Sequence, residues 1–346
     1  MTDHSSQTFA TVPMQQVGPI RLIGPEVEGD FDVPLATYES PLWPSTRRGA
    51  RVATAAGGLH AVIVDDRMTR SVLLAATDAV RAAQVAHDLP ARHAELQAVV
   101  AAGSRFAQFD ALHTQVVGNL LYVRFELTTG DAAGHNMVTA AADSLIDWML
   151  EEYAGLSYGS ISGNYCTDKK ASAVNGILGR GKYVVVECVV PRRIVTRYLK
   201  CDPERIVDLN WKKNWIGTSL AGGVRSANAH FANMLLAFYL ATGQDAANIV
   251  EGSQGFTHAE VREGDLYFSV TLPNVIVGTV GNGKHLDFVQ DNLARLGCLD
   301  TAPPGHMARR LAVLAAATVW CGECSLLAAQ TQPGELMRAH RKWERT

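Results

Sequence analysis

The chain has 346 residues, 47% of them apolar and 19% charged, and its 31 Lys and Arg against 34 Asp and Glu leave a net charge of −3. That composition suits a folded chain rather than a disordered one, and the length admits one large domain or two medium ones. The missing cationic excess argues against nucleic acid as the main partner.

The longest apolar stretch, residues 311–321, covers about half a bilayer crossing, and residues 1–13 have neither the basic nor the apolar region of a secretory signal. A cytoplasmic protein with no membrane partner is therefore expected. The six cysteines, Cys166, Cys188, Cys201, Cys298, Cys321 and Cys324, are too sparse and irregular for a disulfide framework. They are expected to be buried thiols.

Residues 1–18 are polar and aperiodic and read as a loose tail. Residues 60–64 are branched and apolar and residues 122–126 alternate, which predicts two strands. Between them, residues 72–110 are rich in Ala, Leu, Arg and Gln and predict helices. The turn-like Thr129-Gly-Asp-Ala-Ala-Gly134 feeds a predicted helix over 136–153, whose apolar face carries Val138, Ala141, Leu145, Trp148 and Met149. A loop entering a helix N-terminus in this way can hold an anion on its free N–H groups. Residues 183–190 are a continuous β-branched run, as in a strand buried on both faces. A glycine-rich segment over 216–223 leads to an apolar helix over 231–240, residues 266–272 alternate as a strand, and the last 40 residues read as helical with a break at Gln332-Pro-Gly334.

Three motifs invite a chemical reading. Gly278-Thr-Val-Gly-Asn-Gly283-Lys284 fits the first seven positions of a phosphate-binding P-loop between a predicted strand and helix. However, His285 stands where the Mg²⁺-ligating hydroxyl is needed, so a glycine-rich turn is the better reading. Cys321-Gly-Glu-Cys324 lacks both the second pair that zinc requires and a βαβ context for redox work. No His pair is spaced as metal ligands on one helical face, and no G-x-G-x-x-G fingerprint appears, so neither a metal nor a Rossmann fold is expected. The third motif is Asp168-Lys169-Lys170, within Ser160-Ile-Ser-Gly-Asn-Tyr-Cys-Thr-Asp168. It is either a solvated charge cluster or a cation held at the rim of the core, where a lysine beside a carboxylate stays protonated and can polarise a carbonyl.

At this segment the sequence resembles the HMG-CoA (3-hydroxy-3-methylglutaryl-CoA) reductases, in their class I form. The resemblance is carried in order by Val33-Pro-Leu-Ala-Thr-Tyr-Glu39, Gly130-Asp-Ala-Ala-Gly-His-Asn-Met137, Ser162-Gly-Asn-Tyr-Cys-Thr-Asp-Lys-Lys170, Asn228-Ala-His-Phe-Ala-Asn233, Gly243-Gln-Asp-Ala-Ala247 and Gly278-Thr-Val-Gly281.

The resemblance implies an α+β fold: a large mixed α/β substrate-binding domain (19–71 and 161–346), interrupted by a small ferredoxin-like NADP-binding domain (72–160), with no Rossmann fold. It implies reduction of HMG-CoA to mevalonate and CoA by two NADPH through mevaldyl-CoA, in a homodimer or higher homo-oligomer with intersubunit sites. Four residues take catalytic roles by this matching. Lys169 would stabilise the oxyanion, Asp245 would hold Lys169, Glu39 would be the acid for the aldehyde, and His340 would protonate the CoA thiolate. Arg70, Ser162, Asp168, Lys170, Lys213, His230 and Asn233 fall where the family grips the acyl part, and Arg48 is a further cation for the CoA substrate. Asp131, Gly134, His135, Asn136 and Met137 fall on the NADP-binding turn, and Arg345 is a candidate for selecting NADPH over NADH.

Some positions depart from the family. Tyr38 and two prolines, Pro41 and Pro44, crowd Glu39; His135 replaces a common Met; Lys284-His285 replaces Gly-Thr; and residues 1–18 lack the Glu-Asn-Val-Ile-Gly block of the subunit interface. Two other readings stay open on those grounds: a family reductase for a different acyl-CoA, and a catalytically idle homologue acting as a binding subunit. The intact quartet weighs against the second.

Overall fold

The structure is a computed structural model that describes Thr8 and residues 10–343, except for the side chains of residues 339, 340 and 343. Arg345 and most of residues 1–9 lie outside the described residues. The first strand, β1 (Met14–Ile23), begins inside the segment read above as a tail, which corrects the boundary at residue 18. Gln15 and Gln16 hid the strand. Val17, Ile20 and Leu22 are fully buried, while Gln16 takes its polarity to Asn292, 3.2 Å away.

The chain continues through β2 (Gly29–Ala36), α1 (Leu42–Ala55), β3 (Leu59–Ala76), α2 (Ala79–Asp88), α3 (His93–Gly103), β4 (Gln108–Val117) and β5 (Leu120–Thr128). It then forms α4 (His135–Glu152), β6 (Leu156–Ser160), α5 (Ala173–Leu178), β7 (Gly181–Val190) and the single turn α6 (Arg192–Ile194). After α7 (Pro203–Leu209), the turn α8 (Thr218–Leu220) and β8 (Ser226–Ala227) come α9 (Phe231–Ala241), the turn α10 (Ile249–Gly252), β9 (Gly255–Arg262) and β10 (Asp265–Val275). Helices α11 (Asp287–Arg295), α12 (His306–Gln330) and α13 (Glu335–Trp343) close the chain. The predicted helical stretch 72–110 is thus cut back at both ends, because residues 72–76 extend β3 and 108–110 open β4.

One mixed sheet runs β2-β1-β3-β7-β10-β9-β8, and a second sheet, β4-β5-β3-β6, shares β3 with it. The first half of β3 pairs with β7 up to Arg67, and the second pairs with β5 from Met68 onward. Each sheet covers its own apolar core. The larger core packs α1, α9 and α12 on the long sheet, and the smaller packs α2, α3 and α4 on the short one. β7 is buried on one face only. Val184, Val186, Cys188 and Val190 face the core, whereas Val189 is 45% exposed, so its β-branched run reflects strand propensity rather than two covered faces.

Helix α12 is apolar on every side because it runs through the middle of the large core. Its 25 residues have the length and composition of a membrane span, but 94% of its most apolar window is buried inside the fold. Helix α1 crosses it closely at Gly49, where an added Cβ would sit 2.0 Å from the carbonyl oxygen of Cys321. All six cysteines are free and buried.

Candidate active site

The loop from β6 to α5 carries residues 162–170, and its backbone is forced into an unusual path. Asn164, Thr167 and Lys169 all have left-handed φ values, 59°, 43° and 55°, a conformation non-glycine residues hold only where surrounding contacts impose it. Those contacts are present. Ser172 caps α5 by accepting from the Asn175 N–H, and the Asn175 amide donates back to the Thr167 carbonyl at 3.3 Å. The Lys169 N–H donates to Glu251 Oε1 at 3.1 Å, and Asp168 pairs with Arg180 at 3.0 Å.

Held this way, Lys169 places its Nζ 2.6 Å from Asp245 Oδ2. The Asp245 hydrogen bond raises the lysine pKa, so the ammonium persists. Burial pushes the Asp245 carboxyl up, but the hydrogen bonds from Lys169 and the Ala247 N–H, together with the positive charge of Lys169, outweigh it and hold the carboxyl below the usual range. The segment bearing Asp245 docks on the loop after β10: Gln244 donates to the Gly278 carbonyl at 3.1 Å and accepts from the Gly278 N–H at 2.9 Å. The buried Lys284 adds a bond to the Gly243 carbonyl. Here the P-loop-like motif has a structural task. Its lysine faces the protein backbone, and burial lowers its pKa to about 8.

A second turn meets this one. Gly134, with φ 95°, starts α4, where a Cβ would lie 2.7 Å from Thr129; Gly278 sits so close that its Cβ would lie 2.4 Å from the Ala133 nitrogen. Gly134 makes room for the turn to fold back on Thr129, and Gly278 lets that turn pack on the loop after β10. The N-terminus of α4, which has no side-chain cap, thereby opens on a cavity of about 520 Å³ shared with Arg70, Asp168, Lys169 and Asp245. Asn136 and Met137 line it, and His135 reaches from it to Asn248 at 3.2 Å and to Asp168 at 3.9 Å. Burial, helped by the nearby Arg180, keeps the His135 pKa low. The Asp131 carboxylate turns away from the cavity to accept from the N–H groups of Gly305 and Ala308 at the start of α12, at 3.0 and 2.9 Å.

Glu39 lies elsewhere. It accepts from the Asn233 amide at 3.0 Å in a cavity of about 380 Å³ with Arg48, His230, Pro41 and Pro44. Tyr38 is 74% exposed and donates to the Thr11 carbonyl at 2.6 Å, so the bulk beside the acid points outward. Arg48 is fixed on α12 through Ser325, 3.0 and 2.7 Å away. The Glu39 and Lys169 cavities share no lining residue. Among the remaining sequence candidates, Lys170 bonds the Asp168 carbonyl at 3.0 Å, Lys213 bonds Asn214 at 3.2 Å, and Ser162 lies on the exposed loop, bonded through its N–H to Ser160. Arg70 donates to the Ile161 carbonyl at 3.0 Å. His340 is on α13, but its side chain lies outside the described residues.

Sequence reading missed three charged groups. Glu251 and Arg180, 0% and 1% exposed, stand behind Lys169. Glu323 in α12, also fully buried, accepts from the N–H groups of Ala229 and His230 at 2.9 and 2.5 Å and from Thr257 Oγ1 at 3.1 Å, positioning the start of α9. A signal existed for Glu323: it is the sole charged residue between Arg310 and Glu335. Among the described residues, no group of three or more His, Cys, Asp and Glu is placed to hold a metal.

A persistent ammonium, a carboxylate that aims it and an uncapped helix N-terminus on one cavity form a site able to stabilise negative charge on oxygen. A family model described as hydroxymethylglutaryl-coenzyme A reductase matches residues 7–345. The 3-hydroxy-3-methylglutaryl-coenzyme A reductase of Aeropyrum pernix is 44% identical over 331 residues, 95% of this chain and 78% of that one. The Pyrococcus abyssi enzyme of the same name is 44% identical over 333 residues, 95% of this chain and 81% of its own. The fold is similar to that of the class II enzyme from Streptococcus pneumoniae solved with NADPH, with a TM-score of 0.74 at 20% identity, covering 96% of this chain and 88% of that one. The chain belongs to the hydroxymethylglutaryl-coenzyme A reductase family.

Proposed function

We propose that the chain reduces HMG-CoA to mevalonate and free CoA, a step of isoprenoid biosynthesis, with NADPH as the reductant. The observation that carries this reading is the Lys169–Asp245 pair at 2.6 Å on the cavity at the α4 N-terminus, in a chain of this family. The residues present fit the dinucleotide. The uncapped amides of α4 suit its phosphates, and Gly134 and Gly278 keep the adjoining backbone free of side chains. When bound, NADPH supplies the two hydrides of the four-electron reduction.

The chain's own residues do the rest. Lys169 holds the thioester oxygen as it gains charge and then the aldehyde oxygen in the second half, and Asp245 keeps that ammonium aimed. Glu39 is the acid of the second half, and His340 protonates the departing thiolate. The second core, built on β4, β5 and the far half of β3, serves in this reading as an inserted ferredoxin-like NADP-binding domain. The Asp-Lys-Lys motif and the archaeal relatives support the class I form.

NADPH absorbance with purified protein and HMG-CoA tests the proposal, with two NADPH oxidised per HMG-CoA expected. A flat trace at high enzyme concentration defeats it, and turnover only with another acyl-CoA selects the alternative substrate.

The separation of Glu39 from Lys169 in one chain supports a homodimer whose sites form between subunits. On this reading, mixing the separately inactive variants Glu39→Gln and Lys169→Ala restores activity, because a mixed dimer carries one site with both groups intact. An inactive mixture of exchanged subunits argues for sites contained in one chain.

A further inference from the structure

Resting on the reading of Lys169 as the oxyanion partner, we infer that Glu251, backed by Arg180, is a positioning residue that sets the backbone of Lys169 and thereby the reach of its ammonium. One short stretch of chain supplies both holds on this lysine: Asp245 takes Nζ at 2.6 Å and, six residues on, Glu251 takes the backbone N–H at 3.1 Å. The stretch is itself pinned, since Asp245 accepts from the Ala247 N–H at 3.1 Å and the Asn274 amide donates to the Glu251 carbonyl at 3.1 Å. Held at two points along a fixed segment, Lys169 keeps its left-handed φ of 55° and its side chain extends toward the cavity.

Arg180 makes this arrangement tenable. A carboxylate with no solvent exposure is costly unless paired, and the Arg180 guanidinium lies 2.7 Å from Glu251 Oε1 while its other arm reaches Asp168 at 3.0 Å. The residue before Lys169 and the acceptor of the Lys169 N–H are thus tied to one buried cation. A buried ion pair is weak evidence for net stability, and this one is read through the geometry it specifies. Here that geometry is the placement of one amide and one ammonium.

The test compares Glu251→Ala, Glu251→Asp and Glu251→Gln with Lys169→Ala, using kcat and KM for NADPH and HMG-CoA together with thermal melts. Gln retains an oxygen that can accept from both Lys169 and Arg180, whereas Asp keeps the charge but withdraws it by one methylene. The expected result is a kcat lower by about 10²-fold in the Ala and Asp variants, as for a misplacement of about 1 Å. KM should hold within about twofold, with rescue to within about fivefold by Gln. Turnover near wild type in Glu251→Asp, or equal losses in Gln and Asp, overturns the positioning role. Full turnover in Lys169→Ala overturns the reading of Lys169 itself and this inference with it. A dead Lys169→Ala beside a fully active Glu251→Ala rejects the inference alone.

Discussion

Lys169→Ala should lose roughly 10³-fold in kcat, at the upper end of what one preorganised oxyanion donor supplies, and still melt like the parent. The lysine sits on a surface loop and is more than a third exposed, so its removal opens no core cavity. Its loss acts on the step in which charge develops on oxygen, so kcat and kcat/KM should fall together. Asp245→Asn is the graded companion. The Asp245 carboxylate raises the Lys169 pKa in the native enzyme, so the asparagine variant should lose its ammonium at lower pH. The alkaline limb of its pH–kcat profile should therefore move toward neutrality. An alkaline limb that stays in place shows that another group governs it.

Gly49→Ala should have the largest effect on stability, at an exposed-looking position in the sequence of α1. Its Cβ would meet backbone, the Cys321 carbonyl at 2.0 Å, and α12 cannot retreat because every side of it is packed in the large core. Forcing the two helices apart should cost about 3 kcal/mol or more, lowering Tm by several degrees, with the denaturant m-value unchanged. Gly322→Ala makes the contrast. Its nearest clash, 2.4 Å, is with the Met234 side chain, which can swing aside, so a smaller loss is expected. A Gly49→Ala protein as stable as wild type means that the α1–α12 crossing relaxes freely.

Much of the site was readable because its chemistry is local in sequence. Asp168-Lys169-Lys170 and Gly243-Gln-Asp245 are contiguous motifs, and the glycines before α4 and after β10 mark backbone approaches that a Cβ forbids. What escaped was non-local. Glu251 and Arg180 look like ordinary surface charges in sequence, and only the fold shows that the chain buries them together behind Lys169. The start of β1 was hidden by glutamines on its polar face, and β7 was overread because valines satisfy strand propensity on a covered face and an open one alike. Asp131 was matched to a cofactor turn, yet its carboxylate is committed to the first amides of α12, a partner more than 170 residues away.

β3 passes from one core to the other without a break, paired to β7 as far as Arg67 and to β5 from Met68 onward. No flexible connector marks that boundary, and Arg67 is tied there to Asp65 on one side and Glu126 on the other. Along this strand, the smaller core can turn against the larger only by twisting a ribbon paired throughout except at a bulge at Val64. Continuous pairing gives the junction at β3 the geometry of a torsion spring rather than of a free hinge.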